Sequence, residues 1–148
     1  MHLESFMIDF DPQAPLERLV AESGNDWVSG AISDVPLETG LGSDRIVQEV
    51  GVAWFDTETP LAAALAAFAE RARRPAGLRQ LFAFNRRYPD LQRRFPVIAL
   101  GSFWQRREGY PKYYPWLEGR TIRQCLDLLQ VTGTGAFGAC WRYLTLAA

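Results

Sequence analysis

The segment 61–74, LAAALAAFAERARR, limits the fold more than any other part of the chain. Thr59 and Pro60 precede it, and a capping hydroxyl followed by proline is typical of a helix start. The helix would be apolar on nearly every face up to Glu70, and its alanines would let other backbones approach closely. We therefore expect a buried, alanine-rich helix near residues 60–74, with the other elements packed around it.

The remaining patterns alternate between strands and helices. Branched and aromatic residues predict strands, and proline, glycine or a capping residue limits the predicted helices. The predicted strands cover 3–10, 27–33, 45–55, 95–104 and 139–146, and the predicted helices cover about 13–23 and 78–88.

Residues 120–131 fit two structures. A helix would place Ile122, Cys125, Leu126 and Leu129 on one stripe, whereas a strand over the same residues would alternate poorly. The pattern therefore favours a helix and leaves a strand open. With 148 residues, of which 48% are hydrophobic, we expect residues 1–148 to form a single α+β domain. It would have a mixed or antiparallel sheet of about four to five strands packed against three to four helices.

Charge is distributed unevenly along the chain. Residues 1–70 carry thirteen acidic and two basic side chains, and residues 71–148 carry fourteen basic and four acidic ones. This asymmetry indicates either an anion-binding face or two halves that neutralise each other on folding. We favour neutralisation because a compact domain brings its halves into contact.

The composition excludes several kinds of catalytic site. His2 is the only histidine and Lys112 the only lysine, so a Ser-His-Asp triad, a multi-histidine metal site and a P-loop are absent from the sequence. Cys125 and Cys140 are expected to be reduced, buried side chains. We expect no cofactor and no bound metal.

Two further patterns concern nucleotides and location. Residues 133–138 read GTGAFG, but no helix or downstream acid follows this GxGxxG, so it predicts a turn instead of a dinucleotide site. No apolar run is long enough to span a membrane, and the acidic N-terminal residues do not resemble a signal peptide. A soluble, cytoplasmic protein is the expectation.

Asp56 and Glu58 form a possible metal-binding pair. The segment 54–59, WFDTET, resembles the first motif of the DEDD exonuclease family, in which an Asp-x-Glu pair helps to hold two magnesium ions. The resemblance covers about five residues and implies a carboxylate-only, Mg-dependent phosphodiesterase. Acidic residues before a helix also favour its dipole, which is the simpler explanation of this pair.

The basic half, residues 71–123, offers a polyanion-binding alternative. Eight arginines between residues 71 and 94 are interleaved with aromatic residues, and this combination suits single-stranded nucleic acid. The same aromatic residues also have the spacing of a hydrophobic core.

The segment 104–116 carries the main functional prediction. It combines residue types that are enriched in binding hot spots with prolines that restrict a loop. We predict a non-catalytic adaptor, regulator or immunity-type inhibitor that binds another protein through this segment, and the sequence leaves the partner and the oligomeric state open. The predicted contact residues are Trp104, Arg106, Arg107, Tyr110, Tyr113, Tyr114 and Trp116.

Overall fold

The computed structural model describes residues 1–120, 123–132 and 134–148. The helices are α1 (Leu16–Glu22), α2 (Leu61–Glu70), α3 (Leu78–Arg87) and α4 (Leu91–Arg94), together with a 3-10 helix over Gly30–Asp34. The strands are β1 (His2–Phe10), β2 (Trp27–Val28), β3 (Ile46–Trp54), β4 (Thr59–Pro60), β5 (Arg73–Pro75), β6 (Val97–Ile98), β7 (Trp104–Gln105), β8 (Lys112–Arg120), β9 (Arg123–Val131), β10 (Ala136–Phe137) and β11 (Arg142–Ala147).

Nine of the strands formed by the described residues belong to one mixed sheet. Its order is β1-β3-β11-β6-β8-β9-β2, with β5 paired to β11 and β7 paired to β8. The β11–β6 and β2–β9 pairs are parallel, and the other pairs are antiparallel. The expectation of four to five strands is therefore wrong. Six of the eleven strands are only two or three residues long, and such short pairings leave no periodic pattern in a sequence.

The sheet is buried on both faces. On the first face, Val50 and Val52 of β3 and Leu144 and Leu146 of β11 pack with α1 and α3. On the second face, which includes Tyr143, the cover is α2 and the β4–β10 ribbon. The alternation of side chains along β3 and β11 supplies both layers.

Helix α2 is less buried than its composition predicts. Only Ala64 and Phe68 of its ten residues are buried, and Leu65 is 38% exposed. The two buried residues are four positions apart and so lie on one face of the helix. The expectation of an alanine-rich helix buried on all sides is wrong, because this helix covers one face of the sheet and turns its other alanines outward.

The described residues of the segment 120–131 belong to strands, with Arg120 at the end of β8 and 123–131 in β9, so the helix prediction is wrong for them. Strand β9 pairs with β8 in a continuous register from Lys112 opposite Val131 to Arg120 opposite Arg123. The ladder supplies backbone hydrogen bonds from a distant segment and overrides the local helical pattern. Thr121 and Ile122, which the helix prediction included, lie outside the described residues.

The acidic loop before β3 is attached to the start of α3. The Glu38 carboxylate accepts from the Arg79 backbone N–H at 3.0 Å, and the Arg79 side chain donates to the Glu38 and Ala14 carbonyls. The Ser102 hydroxyl accepts from the Leu78 N–H at 2.8 Å. A carboxylate at a helix N-terminus satisfies free N–H groups and complements the helix dipole.

Helix α3 also contacts the outer side of β1. Phe84 of α3 packs edge-on against Phe6 with the ring centroids 5.5 Å apart. The Tyr88 hydroxyl donates to the Met7 carbonyl at 2.8 Å, and Arg86 donates to a neighbouring β1 carbonyl. These two acceptors of β1 are therefore bonded to side chains instead of to another strand.

The acidic and basic halves of the chain meet in several ion pairs. Arg73 binds Glu49 at 3.2 Å, and Arg86 binds Glu22 at 3.4 Å. The Arg73 side chain is 9% exposed, so its pairing offsets a real loss of hydration. For the arginines on β5 and α3, this supports the expectation that the two halves neutralise each other.

No helix in the described part of the chain is long and apolar enough to cross a membrane.

We expect Gly119→Ala to destabilise the fold by about 1–3 kcal/mol, because it forces β8 away from α4. A methyl group at Gly119 would lie 2.5 Å from the Gln92 carbonyl carbon and 2.6 Å from the Arg93 Cα. Gly30→Ala is the matched control, since nothing lies within 4 Å of its added methyl group. Urea unfolding of both variants measures the difference, and equal midpoints would contradict the packing described here.

We expect Glu38→Gln to lower the free energy of unfolding by about 1 kcal/mol, because the neutral amide loses the charge-assisted bond to the α3 N-terminus. Glu58→Gln, at an exposed position, is the control for the loss of one negative charge. Thermal unfolding at low salt compares the two variants. A Glu38 variant as stable as the control would show that the carboxylate does not hold this loop.

Candidate interaction surface

Residues 104–116 form a β-hairpin. Strands β7 and β8 pair antiparallel, with Trp104 opposite Tyr113 and Gln105 opposite Lys112. The hairpin tip, residues 106–111, projects beyond this pairing, and Gly109 within it has φ +88, a conformation that favours glycine. The predicted loop is thus largely strand, with an ordered turn at its end.

The hairpin tip brings together three of the seven predicted contact residues. The guanidinium carbons of Arg106 and Arg107 lie 5.4 and 4.7 Å from the centroid of the Tyr110 ring. Arg107 also donates to the Tyr110 hydroxyl at 2.8 Å, and Gln105 donates to the Tyr110 carbonyl at 2.8 Å. Cation–π contact and hydrogen bonds therefore hold two exposed arginines in place before any partner arrives.

Two more of the predicted residues flank the hairpin. The rings of Trp104 and Tyr113 lie 5.3 Å apart across the β7–β8 pair. Both residues are half-buried, and Trp104 also packs against the core of the first face. This cross-strand pair stabilises the hairpin and contributes only its outer edges to the surface.

The last two predicted residues, Tyr114 and Trp116, lie farther along β8, beyond its pairing with β7. Tyr114 is 6% exposed and packs beside Phe103 in the core of the second face. Burial raises the pKa of its phenol above the ordinary value. Trp116 is half-buried against Trp141, with the ring centroids 5.1 Å apart. Tyr114 still lines a groove beside the hairpin tip, and Trp116 lines a different groove, so each residue reaches the surface only at a groove.

A groove of about 330 Å³ lies beside the hairpin tip. Tyr110, Lys112 and Gln105 contribute polar groups to it, and Leu61 and Val131 contribute apolar walls. The Lys112 ammonium lies 4.5 Å from the centroid of the Phe103 ring. Lys112 is the cationic side chain of this groove, and Arg106 and Arg107 are exposed on the adjoining hairpin tip.

A second groove, of about 310 Å³, was not anticipated from the sequence. Trp116, Trp141, Phe95 and Pro96 form its apolar walls, and Arg94 contributes its charge. Cys140 also lines this groove and is exposed, so the expectation that it is buried is wrong. These residues come from α4, β8 and the segment before β11, and only the folded sheet brings them together.

Arg142 lies next to this second groove. Its guanidinium carbon is 3.7 Å from the Phe95 ring centroid and 4.8 Å from that of Trp54. It donates to the backbone carbonyls of three preceding residues, Ala139, Cys140 and Trp141. Burial lowers the pKa of Arg142 below its ordinary value, and the charge of Arg94 adds to the lowering.

The arginine-rich segment does not form one continuous basic surface. Arg73, Arg79 and Arg86 bind acidic residues or carbonyls inside the fold. The aromatic side chains of Phe82 and Phe84, which a nucleic-acid site would need for stacking, are buried in the core. Exposed arginines remain at positions 71, 74, 87, 93 and 94, and at 106, 107 and 123 in the rest of the basic half. The polyanion alternative for residues 71–123 depends on them.

The Asp56 and Glu58 pair does not lie on a strand. Both residues are exposed and follow the end of β3, so no strand holds the two carboxylates on one side. Asp56 instead binds the His2 ring at 2.8 Å. No group of three or more His, Cys, Asp or Glu side chains within the described ranges could hold a metal ion. The geometry adds no support for the phosphodiesterase alternative.

The glycines at 133–138 are described only in part, because Gly133 lies outside the described residues. Strand β10, not a helix, follows Gly135. Comparisons with protein-family models, curated proteins and solved structures find no significant match to this chain. The hairpin tip and the two grooves are therefore the candidate binding sites of this chain.

We expect Tyr114→Ala to destabilise the fold by about 3–5 kcal/mol, as for other buried aromatic residues. Tyr110→Ala, which truncates a 37% exposed ring, should change stability by less than about 1 kcal/mol. Urea unfolding of the two variants tests whether the hairpin places Tyr114 in the core and Tyr110 at the surface. Equal losses of stability would contradict that division.

Proposed function

We propose that this chain is a non-catalytic protein-interaction domain that binds an acidic surface of a partner protein through the hairpin tip, residues 106–111. An adaptor, a regulator and an immunity-type inhibitor all fit this description. The observation that carries the proposal is the arrangement of Arg106 and Arg107 over the exposed Tyr110 ring. Tyrosine and arginine dominate the energetics of many protein interfaces.

The order of the hairpin tip supports binding. Fixing a free arginine side chain on binding costs roughly 1.5–2 kcal/mol of conformational entropy. Here the contacts of Arg107 with Tyr110, including the 2.8 Å hydrogen bond, meet part of that cost within the free protein. The guanidinium groups keep donors for carboxylates, which they bind with two parallel hydrogen bonds.

The charges around the hairpin tip define the partner's chemistry. Arg106 and Arg107 are exposed at the hairpin tip, Lys112 lines the adjoining groove, and Glu108 is the only acidic residue between positions 104 and 116. An acidic segment with an apolar side chain would place its carboxylates at the arginines and its apolar group against Leu61 and Val131. We further propose that the protein acts in the cytoplasm, where both free cysteines would remain reduced.

The polyanion alternative makes a different prediction. Binding to nucleic acid through Arg71, Arg74 and Arg87 would weaken steeply as the salt concentration rises and would not depend on the hairpin tip. A nuclease-sensitive complex that survives changes at residues 106–110 would favour that alternative over the present proposal.

We expect the triple variant Arg106→Gln, Arg107→Gln, Tyr110→Ala to lose at least about tenfold of its affinity for the partner, as is typical when hot-spot residues are truncated. The immobilised chain would be used for nuclease-treated affinity capture from the native cell, and bound proteins would be identified by mass spectrometry. A partner captured by the wild type should be absent from the variant sample.

The control variant is Arg71→Gln, Arg74→Gln, which removes two exposed positive charges away from the hairpin. It should capture the partner at the wild-type level. Circular dichroism and thermal unfolding would verify that both variants are folded. Equal capture by the triple variant and the wild type would refute the hairpin tip as the binding surface.

A further inference from the structure

The second groove, between Trp116 and Trp141, has the composition of a small-molecule site. Its volume of about 310 Å³ is at the lower end of the range for ligand pockets, which are mostly apolar with a few polar groups that orient the ligand. The two indole rings are inclined at 47° with their centroids 5.1 Å apart. Together with Phe95 and Pro96 they offer a surface suited to a planar ring.

Two residues that line this groove each carry a buried polar atom with no partner among the described residues. They are the indole nitrogen of Trp116, which can only donate, and the Oε1 atom of Gln92. The Gln92 side chain is 2% exposed, and its amide nitrogen is directed to the carbonyl oxygens of Asn25 and Glu118. Unsatisfied buried polar groups are uncommon in folded proteins and call for an explanation.

The charge near the groove is mainly positive. Arg94 lines it, with its guanidinium 5.4 Å from the Phe95 ring, and Arg142 lies against the same ring. No ion pair joins either arginine to a carboxylate of the described residues. Glu118 also lines the groove and has its own interaction within the chain.

We propose that this groove binds a small planar aromatic anion. The ring would lie against Trp116, Trp141 and Pro96, and the anionic group would face Arg94. This site is separate from the hairpin tip and does not depend on the function proposed for it.

Cys140 provides a reporter of occupancy, because it is exposed and lines the groove. In a Cys125→Ser background, the rate of Cys140 alkylation by iodoacetamide can be followed by mass spectrometry. Naphthalene-1-sulfonate is the anionic probe, and naphthalene-1-sulfonamide is its neutral counterpart of similar shape. We expect the sulfonate to slow alkylation saturably and to bind at least about fivefold more tightly than the sulfonamide, because an ionised acceptor strengthens its hydrogen bonds.

Three charge variants test the anion specificity. Arg94→Gln should remove the preference for the sulfonate, whereas Arg87→Gln, at an exposed position on α3 outside the groove, should retain it. Glu118→Gln should tighten sulfonate binding, because it removes a negative charge from the groove. Thermal unfolding would verify that each variant is folded.

The outcomes distinguish the proposal from its competitors. No protection of Cys140 by either probe would overturn it. Equal protection by both probes would show an apolar groove without anion specificity and would also overturn the proposal. Sulfonate preference that persists in Arg94→Gln and disappears in Arg87→Gln would place the anion elsewhere.

Discussion

The position of β11 in the middle of the sheet is the constraint on which the rest of the structure depends. On one side this strand pairs with β3, and on the other it pairs with β6 and β5 in succession. Thr145 is fully buried at this crossing, where its hydroxyl donates to the Gly51 carbonyl and accepts from Arg73. Alternate residues of β11 then supply Leu144 to the core of the first face and Tyr143 to that of the second. Six consecutive residues thus hold both layers of the fold together.

The same alternation explains why one aromatic segment serves several purposes. Along β8, Tyr113 and Tyr114 point to opposite faces, so neighbours in the sequence become a hairpin-stabilising residue and a core residue. Trp116 faces the same side as Tyr114 and meets Trp141 from a distant part of the chain. Only the turn beyond the ladder, with Arg106, Arg107 and Tyr110, is released from this alternation. The side chains of the hairpin tip are therefore the ones in this segment that are free of a packing role in the sheet.

Local patterns in the sequence predict some elements well and others not at all. The branched and aromatic residues of β1 and β3 identify these strands, because each is long enough to show its own periodicity. Strand β9 is missed because its structure comes from pairing with β8, and β4 and β10 are missed because they exist only through pairing with each other. The hairpin surface is partly anticipated from composition. The groove between Trp116 and Trp141 could not be anticipated, since no local spacing relates residues that meet across β-strands distant in sequence.

The contact of α3 with the outer side of β1 has a consequence for solution behaviour. An exposed strand edge is a template on which the strand of another molecule can add, and proteins commonly obstruct it. The Tyr88 hydroxyl and the Arg86 guanidinium already occupy the carbonyls of Met7 and Asp9. A second copy of the chain cannot extend the sheet over these residues without displacing both side chains. These two hydrogen bonds therefore obstruct the C-terminal half of β1 as an edge for strand addition.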